Sequence, residues 1–162
     1  MSHPTFALDP AGARDVAARF GTPVYVYDER TLAALADAVL AFAAPFGLTA
    51  RFAAKANPSR EVLRLFDRKG LHFDASTTWE ARRVVAAGVA PSHVQITAQM
   101  LGEGLEDLVR AGARVTACSL AQVERLGRAF PGTPIGLRVN PGEGSGGNNR
   151  TNVAGPGASF GI

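Results

Sequence analysis

The sequence predicts an α/β protein of parallel-barrel type, and more narrowly the first five strands of a partial (β/α)8 barrel. Three observations carry that expectation. Apolar runs of strand length alternate with segments of helical period along the chain. Successive strands recur roughly every twenty residues, without the linker composition that marks a domain boundary. The 162 residues are fewer than the about 250 of a complete barrel.

The elements follow in order. A capping helix is expected at 10–20, then a strand at 23–27, PVYVY, and a helix at 29–44 stopped by Pro45 and Gly47. A strand at 49–55 leads to a helix at 58–69. There Pro58 suits the first helical position, Val62, Leu63 and Phe66 form the apolar stripe, and Gly70 ends the helix. The strand at 71–75 runs through STTWE into a helix at 79–87 closed by Gly88. Further strands are expected at 94–97, 114–118 and 135–140, with helices at 104–111 and 120–130, the latter capped by Ser119. The stretch 142–159 is rich in Gly, Asn and Ser and reads as a loop. Gly142, Gly144 and Gly147 satisfy G-x-G-x-x-G, but NNRTN follows instead of an apolar helix face, so a dinucleotide site is not expected.

Bulk properties narrow the function. An apolar content of 46% is that of a globular domain, no run approaches a membrane span, and MSHPTFALDP lacks the features of a signal peptide, so a cytoplasmic protein is expected. The net charge of +3 comes from scattered arginines rather than a basic block, which argues against nucleic acid. Cys118, the single cysteine, reads as a small buried hydrophobe. His3, His72 and His93 have no metal-ligand spacing, and no metal is expected.

The chemistry centres on Lys55. It is one of two lysines and lies inside RFAAKANP. An amine at the end of a buried strand loses solvation, which favours its neutral, nucleophilic form and makes it a candidate to condense with a carbonyl. The competing reading is a strand-end lysine that snorkels to water. Lys69, in DRKG, reads as a solvated cation in the last turn of a helix.

In a parallel barrel the working side chains project from the strand C-termini around one mouth. Lys55 and Asn57, then Asp74, Thr77 and Glu80, then Thr97 and Gln99, Ser119, and finally Arg138 and Asn140 hold such positions. One amine among carboxylates, amides and an arginine suits an anionic cofactor bearing an aldehyde. Asp74 reads equally as a turn residue, and Glu80 as a first-turn carboxylate favoured by the helix dipole. Arg138, in the middle of an apolar strand, calls for an anionic partner.

The succession PVYVYDE, RFAAKANP, GLHFDASTTWE, QITAQ, ACSLAQVERL, LRVNPG and SFGI resembles the N-terminal part of the fold-type III decarboxylases that use pyridoxal phosphate, and is most similar to the branch acting on diaminopimelate. The resemblance implies a barrel of alanine-racemase-like type without its C-terminal β-domain. It implies Lys55 as the residue that carries pyridoxal phosphate, Lys55 and Glu80 as catalytic, and Asp74 and Arg138 as further cofactor-binding residues. The implied reaction is decarboxylation of meso-diaminopimelate to L-lysine by a homodimer, this chain being an inactive fragment. A non-catalytic carrier barrel, an ornithine- or arginine-type decarboxylase and a racemase of the same fold type stay open. Two departures stand out. Thr77, Thr78 and Trp79 replace a small SGG turn, and Ser159, Phe160 and Gly161 replace Lys-Phe-Gly.

Overall fold

Five parallel strands hydrogen-bond in chain order in the computed structural model, which describes residues 6–144, 153–155, 158 and 160–162. The elements are α1 (Pro10–Phe20), α2 (Glu29–Leu40), β1 (Arg51–Ala53), α3 (Arg60–Lys69), β2 (His72–Ala75), α4 (Thr78–Ala86), β3 (Val94–Ile96), α5 (Leu105–Arg110), β4 (Arg114–Ala117), α6 (Leu120–Ala129) and β5 (Gly136–Leu137). Short 3-10 turns occupy Ala54–Ala56 and Pro91–His93.

Register sorts the side chains onto two faces. Phe52, Phe73 and Val94 are in line, as are Ala75, Ile96 and Val115; Ala53, Asp74, Gln95 and Arg114 form the intervening row. Because successive side chains point to opposite faces, the first set packs under the helices and the second lines the concave side. Phe73, Ile96, Leu63, Val84 and Leu105 are fully buried in the helix-covered layer. Each such side chain contributes about 1.5–3 kcal/mol of transfer free energy. The concave row is polar and partly open.

α3 shows how the sequence sets each unit. Gly70 adopts φ +94, which lets its N–H reach Asp67 O and the N–H of Leu71 reach Phe66 O, so the chain reverses into β2 with Leu71 already buried. Lys69 lies in the last turn as expected, but its Nζ is 2.6 Å from Asp37 on α2 instead of solvated alone.

Several expectations are corrected. Residues 23–27 lie outside the sheet, with Tyr25 88% exposed. Alternating β-branched and aromatic residues confer strand propensity, yet the segment pairs with no strand of the described sheet, not even the open edge of β1, and propensity without pairing does not make a strand. α1 forms where expected but buries no residue. α2 ends at Leu40, before the proline and glycine expected to stop it. Pro58 precedes α3, whose N-cap is Ser59. β5 is shorter than 135–140, although its pairing extends beyond it: Arg138 N donates to Ala117 O, and Ile162 both donates to Arg138 O and accepts from Asn140 N, each at 2.8 Å. Gly161 permits that approach, since a Cβ there would sit 2.8 Å from Asn140 N and 2.9 Å from Arg138 O. Leu137 and Val139 remain exposed. Of the stretch 142–159, residues 145–152, 156, 157 and 159 lie outside the described residues, and Gly147 and Ser159 with them, as does His3.

Candidate active site at the strand ends

The C-terminal ends of the strands frame a cavity of about 660 Å³. Lys55, Asp74, Thr77, Thr97, Gln99 and Arg138 all line it, so six of the polar residues predicted from strand ends meet at one place.

Lys55 reaches it from an unexpected position. β1 stops at Ala53, and the lysine sits on the following 3-10 turn, pinned by Ala54, which is 1% exposed. The Lys55 side chain itself is exposed at the rim. This corrects the expectation of a dry strand-end pocket. The apolar run around it reflects the packing of Ala53 and Ala54, while the open concave side of a five-stranded sheet leaves the amine in water.

Asp74 is not a turn residue. It belongs to β2, and its Oδ1 accepts a 2.8 Å hydrogen bond from Thr97 Oγ1 on the loop after β3. Arg138 follows β5, half-buried, with its guanidinium 4.5 Å from the Phe160 ring centroid, a cation–π arrangement. Beneath it lies Cys118, buried as expected; burial pushes its thiol upward, and Arg138 opposes that through its charge and a hydrogen bond.

Glu80, expected as a catalytic group, is not among the lining residues. Its Oε2 accepts the Ser76 N–H at 2.8 Å, and its own N–H donates to Thr77 Oγ1 at 3.0 Å. This is a variant of the capping box, with the glutamate reaching the N–H of the residue before the Thr77 N-cap, and it fixes the β2–α4 turn. The same device recurs two strands on. Gln122 Oε1 accepts the Cys118 N–H at 2.7 Å while the Gln122 N–H donates to Ser119 Oγ at 3.3 Å, confirming Ser119 as the N-cap. Gln122 Nε2 also donates to Ala98 O and Gln99 O, at 3.0 and 2.7 Å, tying the β4 loop to the β3 loop. Sequence reading missed Gln122, although S-x-x-Q before a helix is itself a signal.

Two predicted strand-end residues serve loops. Asn57 Oδ1 accepts the Ser59 N–H at 3.0 Å. The Asn140 side chain bonds Gly142 and Gly155. Met100, Leu101 and Gly102 line the cavity without having been anticipated, together with Ser76, Thr78, Trp79 and Phe160. Trp79 and Met100 are 78% and 84% exposed, so one side of the mouth is an apolar lip.

A parallel half-barrel that gathers an amine, a carboxylate and a guanidinium at its strand ends defines a cofactor-binding α/β barrel segment. The chain belongs to the family of pyridoxal-dependent decarboxylases, whose pyridoxal-binding domain it matches over residues 32–162. It is 35% identical to the diaminopimelate decarboxylase of Streptomyces coelicolor over 96% of its own length and 36% of that protein's. With the diaminopimelate decarboxylase of Escherichia coli K12 it shares 32% identity, covering 100% of this chain and 40% of the relative. A crystal structure of diaminopimelate decarboxylase superposes with a TM-score of 0.80 at 31% identity, over 94% of this chain and 36% of the other. The Selenomonas ruminantium lysine decarboxylase fold matches at 0.73 and 23% identity, over 93% of this chain and 39% of that one. The chain therefore corresponds to an N-terminal part and spans well under half the length of these relatives. Its donor set fits pyridoxal phosphate: an amine for the aldehyde, a cation for an acidic oxygen, and a carboxylate held by Thr97, all on one cavity.

Proposed function

We propose that this chain carries the cofactor-anchoring end of a pyridoxal phosphate-dependent decarboxylase, and that the longer enzyme converts meso-diaminopimelate to L-lysine in lysine biosynthesis. The observation that carries the reading is the position of Lys55, on a buried-alanine turn at the rim of the cavity that Asp74 and Arg138 share. When bound, pyridoxal phosphate supplies an electron sink for the carbanion left by loss of a carboxylate.

The chain's own residues divide the remaining work. Lys55 Nζ is the attachment amine and, once free, the group that can carry a proton at the rim. Asp74, oriented by Thr97, presents a fixed carboxylate to the cofactor. Arg138, backed by Phe160, offers a cation to an acidic group. Trp79, Met100 and Leu101 form an apolar wall that limits water on one side. Glu80 acts as a positioning residue, holding the Ser76–Thr77 edge in place through its cap. Identity to the diaminopimelate enzymes favours that substrate over ornithine or arginine.

In the domain reading that accompanies this proposal, residues 1–162 are the N-terminal portion of the barrel, inactive alone and working within a homodimeric cytoplasmic enzyme. Among the described residues no helix is long and apolar enough to cross a membrane. Borohydride reduction of the full-length protein with pyridoxal phosphate, followed by peptide mapping, tests the site. The expected label is on Lys55, and label elsewhere refutes the assignment. Carbon dioxide release from meso-diaminopimelate, compared with ornithine and arginine, tests the substrate.

A further inference from the structure

One buried side chain ties together the strand-end loops that carry the cavity. Gln122, in the first turn of α6, is 7% exposed and is not among the lining residues. Its Oε1 accepts the Cys118 N–H at 2.7 Å, and its Nε2 donates to Ala98 O at 3.0 Å and to Gln99 O at 2.7 Å. A single orientation of the amide meets one N–H with its oxygen and two carbonyls with its nitrogen. These bonds cross between the ends of β3 and β4, both interior strands of the five-stranded sheet, so the neighbours on either side are already in place. Each end of the tie leads to a group that faces the cavity. Ala98 and Gln99 follow Thr97, whose hydroxyl aims Asp74. Cys118 follows Ala117, whose carbonyl accepts the Arg138 N–H at 2.8 Å, and the Cys118 thiol meets the Arg138 side chain in a hydrogen bond.

We propose that Gln122 is a positioning residue for the cofactor, one that fixes the carboxylate of Asp74 and the guanidinium of Arg138 at a set separation; this role rests on the decarboxylase reading above. The start of α4 supplies the contrast. There the third residue after the N-cap is Glu80, whose side chain meets an N–H, that of Ser76, and a carboxylate serves. The same place on α6 faces two carbonyl oxygens as well as an N–H, and a carboxylate would be repelled where an amide donates twice. The cap alone would accept either side chain. The loop after β3 is what demands the amide, and that loop carries Thr97, Gln99 and Met100 to the cavity. A buried polar group with every partner in place holds one geometry, so a change at Gln122 moves both arms of the site without touching the cofactor.

The test is absorbance titration of pyridoxal phosphate into the full-length protein and its Gln122→Glu, Gln122→Met and Leu126→Ala variants at about pH 8 and about pH 6, each variant compared with wild type at the same pH. Gln122→Glu keeps the acceptor for the Cys118 N–H but sets a carboxylate against two carbonyls. Burial and those oxygens make such a group hold its proton, and the protonated acid regains one donor. The expected result is affinity weakened about tenfold or more at the higher pH and recovering to within about threefold at the lower. Gln122→Met, with no donor, should stay weak at both. Leu126→Ala removes apolar burial from the same helix and leaves the tie intact, so it should lose stability yet bind within about twofold of wild type. The proposal is overturned if Gln122→Glu binds as wild type at both pH values, if it stays equally weak at both, or if Leu126→Ala weakens binding as much. Borohydride label separates the two readings. A wild type unlabelled on Lys55 overturns the decarboxylase reading and this role with it, whereas a labelled wild type with unchanged Gln122→Glu affinity overturns this role alone.

Discussion

Thr97 Oγ1 donates to Asp74 Oδ1 at 2.8 Å across the β2–β3 boundary, and this bond decides how the only carboxylate lining the described cavity is aimed. A hydrogen bond to an ionised group is worth about 1.5–3 kcal/mol, less where water competes. Thr97→Val should therefore weaken pyridoxal phosphate binding about fivefold to tenfold, measured by absorbance titration of the full-length protein. Thr97→Ser, which keeps the hydroxyl, should bind nearly as wild type.

The two lysines separate attachment from scaffold. Lys55→Ala should abolish borohydride-fixed label while leaving the far-UV circular dichroism unchanged, because the side chain is exposed. Lys69→Met should retain full label. It removes the 2.6 Å contact to Asp37 and should cost at most about 1 kcal/mol of stability in urea unfolding.

The two capping devices should differ in strength. Glu80→Ala is expected to destabilise by about 1 kcal/mol, as the loss of a cap does, and Glu80→Gln by less, since an amide oxygen still accepts from Ser76. Gln122→Ala strips partners from the buried Cys118 N–H and from the carbonyls of Ala98 and Gln99, so about 2–4 kcal/mol is expected. Chemical denaturation of each variant checks the order.

His72 makes stability depend on pH. Its folded-state pKa lies below the ordinary imidazole value of 6.5, first through burial and then through His93, Arg51 and Arg114. The unfolded chain thus binds the proton more readily, so this contribution is complete above 6.5 and is lost as pH falls towards the folded value. His72→Gln should flatten the decline in unfolding free energy between about pH 7.5 and 5. A decline of equal steepness in the variant would assign the effect to other groups.

The strand and helix order was legible because each unit announces its own end, as Gly70 does by turning α3 into β2. The convergence of Lys55, Asp74 and Arg138 was legible for a related reason: parallel strands place their last residues at one rim. What could not be read depends on contacts distant in sequence. Whether Lys55 is dry is decided by what stands across the cavity, not by the alanines beside it. Residues 23–27 have the composition of a strand but pair with no strand of the described sheet. Met100 to Gly102 join the cavity because their loop packs on α4 so closely that a Cβ on Gly102 would lie 2.5 Å from Thr78 Oγ1. No local period encodes that contact. Glu80 was read as a first-turn carboxylate and, through the resemblance, as a catalytic group; the contacts it makes here are those of a cap.

Trp79 lies between Thr77 and Glu80, the two residues that clasp the start of α4, and its indole takes no part in the clasp. The loop is thus braced on either flank of a slot whose occupant is unconstrained. Bulk can be exchanged there to widen or narrow the entrance while the frame stays put, so selectivity at the doorway can drift independently of foldability.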